Sequence, residues 1–143
     1  MSAKSEPDLS LSLNSLENAD WGEPTYGSYV VKTVHALRRK PLVDLTNEEL
    51  RLAISQEVGV PFILDLAFER LRADPLIGGD FYRGDTLVAL VRASPAIWRD
   101  RPTLHAELRS LVEQATEQSR QHDFDGEMFR ESLCRPEDGD TLQ

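Results

Sequence analysis

Nearly every apolar segment of this chain repeats at helical spacing, and no two segments read as paired strands. No internal repeat is present either. That periodicity narrows the architecture to an all-α fold, expected as a single compact domain of five to six short helices with flexible acidic termini.

The helix signals follow one another closely. Ser15 to Asp20 forms a short predicted helix stopped by Trp21-Gly22-Glu23-Pro24, since Gly22 and Pro24 both resist continuation. Ser28 caps a second helix running to about Arg39, with Val30, Val34 and Leu37 on one face. Its closing Arg38, Arg39 and Lys40 oppose the helix dipole. Thr46 and Glu49 have capping-box spacing. The helix they open presents Leu50, Ala53, Ile54 and Val58, and Gly59 suits its C′ position. Pro61 fits N1 of the next helix, whose stripe is Leu64, Ala67, Phe68 and Leu71, widened by Phe62, Ile63 and Leu66.

Thr86 to Ala93 is apolar nearly all round and is the expected central helix. Ser94-Pro95 starts a short turn bearing Ile97 and Trp98. Pro102 opens the last long helix, with Leu104, Leu108, Leu111, Val112 and Ala115 inward. Beyond Asp123 the pattern weakens, leaving Phe124, Met128, Phe129 and Leu133 for a short docking helix. The expected organisation is a flexible segment 1–10, a helical domain 11–122 and a partly disordered acidic tail 123–143.

Charge is distributed unevenly. Residues 32–122 carry equal numbers of basic and acidic side chains, so the net −9 resides in the two ends. Acidic ends on a neutral body disfavour nucleic acid and anionic membrane as partners, because both require clustered positive charge. They suit a basic protein partner, or simply solubility. No apolar run approaches the roughly 20 residues of a membrane span, and the N-terminus lacks the apolar core of a secretory signal. The single cysteine, Cys134, rules out an internal disulfide. A cytoplasmic protein is expected.

The chemistry of the chain points away from catalysis. The Gly-rich loop Asp74 to Asp85 precedes a helix, as phosphate cradles do, but no strand precedes it and no Gly-Lys-Ser/Thr follows. Asp80 and Asp85 would repel an anion. Asp85 reads as the N-cap of the next helix, accepting from the amides of Leu87 or Val88. His35, His105 and His122 are far apart and lack metal-ligand spacing. A Cys–His nucleophile needs its thiolate held near an imidazole inside a cleft, whereas Cys134 lies beside Arg135 and Pro136 in a tail expected to be loose. Asp123 to Glu127 lacks a complete calcium-loop register. No catalytic residue, metal, cofactor or small-molecule substrate is assigned.

Two loops combine large rings with glycines and acids: Asp20 to Gly27, and Gly79 to Gly84. In one reading Trp21 and Phe81 plug gaps between helices. In the other, Tyr26, Tyr82 and the nearby acids form a partner-binding face, as tyrosine is favoured at interfaces.

Four blocks carry a family resemblance. They are Leu16-Glu17-x-x-Asp20-Trp21-Gly22-Glu23-Pro24, His35-x-Leu37-Arg38-x-Lys40-Pro41-Leu42, Leu45-Thr46-x-Glu48-x-Leu50-Arg51 and Gly79-Asp80-Phe81-Tyr82-x-Gly84-Asp85. In this order and spacing, across about residues 11–118, the chain resembles the immunity proteins of contact-dependent growth inhibition. The resemblance implies a small helical cytoplasmic protein, not an enzyme and without a cofactor. It would bind the C-terminal domain of a cognate toxin, often a nuclease, and occlude its active site or substrate surface. The alternative is a helical adaptor or chaperone with no toxin-neutralising role. Candidate partner-contacting residues are Glu17, Asp20, Glu23, Tyr26, Asp80, Tyr82, Arg83 and Asp85. Trp21, Pro24, Phe81 and Gly84 are expected to serve the scaffold instead.

Overall fold

The computed structural model describes residues 8–22, 27–121 and 124–134. Among them stand seven α-helices: α1 Leu13–Glu17, α2 Tyr29–Leu37, α3 Asn47–Ser55, α4 Val60–Ala73, α5 Asp85–Arg92, α6 Pro102–Ser119 and α7 Phe124–Cys134. Two 3₁₀ turns, Leu42–Asp44 and Pro95–Trp98, complete the list of helical elements. No strand occurs among the described residues, and extended pairing is confined to an isolated bridge between Gly78 and Arg83. The helix count exceeds the expected five to six because the five-residue α1 and the weakly patterned α7 both form.

Local signals explain most boundaries. Ser28 accepts from the amide of Val31 at the start of α2. Thr46 and Glu49 make the full capping box, and Lys40 Nζ reaches Glu49 Oε2 at 2.8 Å. Burial alone would raise the Glu49 pKa, but Lys40 and the Thr46 amide hold it below the ordinary value. Gly59 does not follow the expectation. Glu57 takes the left-handed position after α3, at φ 55°, while Gly59, at φ 63°, is the N-cap of α4. The absent Gly59 side chain leaves room for the Leu13 methyls, which seat α1 against the body.

Helix α3 is the hub, packing against α2, α4 and α5. Further packing of α5 on α7, α7 on α6 and α6 on α4 closes a five-helix circuit around the core. Its fully buried residues include Leu50, Ile54, Ile63, Leu64, Phe68, Leu71, Leu87, Leu90 and Phe129. Each such side chain contributes roughly 1.5–3 kcal/mol relative to exposure. Helix α5 was expected at the centre, yet Val91 is exposed, because α3 and α7 cover only part of its surface. Arg72 forks onto Glu107 at 2.6 and 2.8 Å, bracing α4 against α6.

Candidate functional site

The loop between α4 and α5 is anchored in the core by the buried Leu76 and shaped at its tip by acids. Asp85 is the first residue of α5, with Gly84 as N-cap at φ 93°. Its carboxylate therefore points back into the loop, not forward to Leu87 or Val88 as expected. It accepts from the amides of Gly79 at 2.7 Å, Phe81 at 3.1 Å and Tyr82 at 3.4 Å. Asp85 is 4 % exposed and thus withdrawn from any partner.

Glu48, on α3, accepts the Asp80 amide at 2.8 Å and grips Arg51 through a two-point bridge of 2.9 and 2.6 Å. The Arg51 hydrogen bonds hold the Glu48 carboxyl below its ordinary pKa, and Glu48 in turn raises that of Arg51. A side chain on Gly79 would overlap the Glu48 carboxylate, so this position must stay bare.

The result is an outward-facing loop. Phe81 is 68 % exposed, with the Arg51 guanidinium 4.3 Å from its ring centroid. The expectation that Phe81 plugs a gap between helices is corrected: the ring stacks on an arginine and faces solvent. Asp80 is exposed, while Tyr82 and Arg83 are half-buried, and Arg83 lies 3.9 Å from Asp74. Clefts border the loop. One is lined by Asp74, Asp80, Tyr82, Arg83 and Asp125. Another lies against Tyr29, Glu48 and Gly79, and a third against Arg51, Phe81, Val88 and Arg92.

A second cluster joins the first two sequence blocks. Arg38, only 1 % exposed, bridges Glu17 at 2.6 Å, donates to Asn14 at 2.8 Å and to the Ala19 carbonyl at 3.3 Å. Its guanidinium sits 4.1 Å over the Trp21 ring, which meets His35 edge-on. Trp21 remains 46 % exposed, so it too is no interhelical plug. Asp20 accepts the Gly22 amide at 2.8 Å and shapes the turn. Glu17 and Asp20 are thereby committed to this cluster. Glu23 and Tyr26 lie outside the described residues.

Tyr29 went unnoticed in the sequence because it directly follows a cap and breaks no periodicity, yet it is exposed and lines a cleft with Asp80. Arg51 stands in the third sequence block, but nothing local in the sequence tells that it meets Phe81. Among the described residues, no group of three or more His, Cys, Asp and Glu side chains could hold a metal. His105 stacks on Trp98.

Fold and site together define a small all-helical protein that holds an aromatic, acid-bordered loop in a fixed pose at its surface. The chain belongs to the CDI (contact-dependent growth inhibition) immunity proteins, whose family model matches residues 15–108. That span includes all four sequence blocks and ends inside α6. Membership makes it a toxin-neutralising immunity protein in general terms, with a toxin protein as the implied partner. No curated protein and no solved structure shows a significant match. Among the described residues, no helix is long and apolar enough to cross a membrane.

Proposed function

We propose that this protein binds the C-terminal domain of one cognate growth-inhibition toxin in the cytoplasm and blocks its active or substrate-binding site. The family match over most of the helical body carries this reading. The α4–α5 loop supplies a reasonable face for it, with Asp80, Tyr82, Arg83 and Tyr29 around neighbouring clefts. A nuclease target fits the charge, because a basic substrate groove would attract an inhibitor of net charge −9. Occlusion requires neither catalysis nor a cofactor.

The test is growth of cells expressing the C-terminal domain encoded by the adjacent upstream gene, with and without this protein. Rescue together with a stoichiometric co-purified complex is expected. Death in both cases without co-purification would reject the pairing and favour an adaptor or chaperone role. Within the complex, Asp80→Lys should weaken binding about tenfold, in keeping with an exposed interface charge, and leave the melting temperature unchanged. Unfolding by Asp80→Lys would instead make that side chain structural.

A further inference from the structure

We propose that Phe81 is the anchor inserted into the toxin and that Arg51 is the positioning residue that presents it, an inference resting on the immunity reading above. The occupant of the ring is a protein surface with an apolar slot bordered by Lys or Arg side chains.

Three observations lead there. Phe81 leaves most of its surface in water at 68 % exposure, apolar area that burial in a partner would remove from water. The backbone that carries the ring is nevertheless pinned, and the ring rests on a neighbour. Its own amide and that of Tyr82 are bound by Asp85, the preceding amide by Glu48, and one ring face is covered by Arg51 at 4.3 Å. Arg51 cannot readily swing away, since Glu48 holds two of its nitrogens and Asp85 lies 3.9 Å from Nε. A ring supported in this way before binding loses less entropy on insertion, which favours an anchor role. Trp21, by contrast, is less exposed, at 46 %, with Arg38 over its ring and His35 meeting it edge-on.

The third observation is charge. Arg51 is neutralised by Glu48, and Arg83 faces Asp74. Among the described residues, no hydrogen bond or ion pair commits the exposed Asp80 carboxylate beside the ring. Asp125 adds a further acid to the same cleft. Acids outnumber cations around the anchor, with Glu48, Asp74, Asp80, Asp85 and Asp125 against Arg51, Arg83 and Arg92, which selects a basic rim on the partner.

The test titrates the unsubstituted protein, Phe81→Ala, Arg51→Lys and the double variant with the toxin domain encoded upstream. Phe81→Ala should raise Kd roughly 30-fold or more, mainly through faster dissociation, as at interface hot spots. Its melting temperature should be unchanged, and Val43→Ala, another exposed apolar truncation, should bind normally. Lysine keeps the charge at residue 51 but lacks the planar fork. Arg51→Lys should weaken binding several-fold when Phe81 is present and have no further effect once Phe81 is alanine.

Normal binding by Phe81→Ala would overturn the anchor while leaving the immunity reading intact. Equal losses from Arg51→Lys with and without Phe81 would overturn the positioning role. Absence of binding by the unsubstituted protein would remove the immunity reading, and the anchor with it.

Discussion

Arg38 carries a full charge at 1 % exposure, which is tolerable only because every side of the guanidinium is occupied. Glu17, Asn14, the Ala19 carbonyl and the Trp21 face share it. Arg38→Ala should cost about 3 kcal/mol in urea unfolding, the range for hydrogen bonds to charged groups. Arg38→Lys should recover little, because a single ammonium cannot serve these directions at once. Trp21→Ala should cost about 1–2 kcal/mol rather than the roughly 3–5 of a buried aromatic, since half its ring is already wet. Glu48 supplies a pH signature. Its folded pKa lies below the ordinary 4.5 because of the Arg51 hydrogen bonds. A carboxyl depressed by folding stabilises fully above its unfolded pKa, and that stability disappears as pH falls through the folded value. The melting temperature should hold steady down to about pH 4.5 and decline below it, and Glu48→Gln should flatten that decline. An identical slope in the variant would remove Glu48 as a source of acid sensitivity.

Between elements, the four family blocks turn out to be cross-tied pairs. The first meets the second through Glu17–Arg38, the second meets the third through Lys40–Glu49, and the third meets the fourth through Glu48 and Arg51. Gly84 closes this chain at the entry to α5. Its left-handed φ of 93° and the Phe129 ring, which a Cβ would strike, both demand glycine. Gly84→Ala should destabilise by about 2–4 kcal/mol, combining backbone strain with overpacking. Gly22→Ala also meets a positive φ but has no atom within 4 Å, so its cost should stay near 1 kcal/mol. Equal losses at the two positions in thermal unfolding would rule out the Phe129 collision. These elements also mark where sequence reading succeeds. Thr46-x-x-Glu49, Ser28 and Pro102 state their structural roles locally, and the structure keeps them. Asp85, Phe81 and Gly59 depend on what the fold brings from elsewhere: three loop amides, Arg51 and Leu13. A cap and a reversed cap look alike in sequence, and an exposed ring stacked on arginine looks like a core ring.

At the scale of the molecule, α7 is the element that sequence periodicity undervalues most. Of its buried residues, Gly126, Phe129 and Ser132, only Phe129 is a large apolar side chain, so its core contribution falls largely on that ring. Yet α7 closes the helix circuit between α5 and α6. Arg92 donates to the Ser132 carbonyl at 2.9 Å, and Arg130 donates to the buried Ser119 hydroxyl at 2.9 Å. Phe129 also fills the space left by Gly84, directly beneath the loop that carries Phe81. A helix beyond the family match thus supports both the core and the loop proposed to meet the toxin. Phe129→Ala should cost about 3–5 kcal/mol, lowering the melting temperature by about 10–15 °C for a chain of this size. Truncation after Gln121 should lower it at least as far, because it removes the same ring together with both arginine contacts. If the loop depends on this support, toxin affinity should fall in Phe129→Ala even at temperatures where the protein remains folded. A stable truncated protein with undiminished toxin binding would make α7 an appendage and place the support of the loop wholly within α3 and α5.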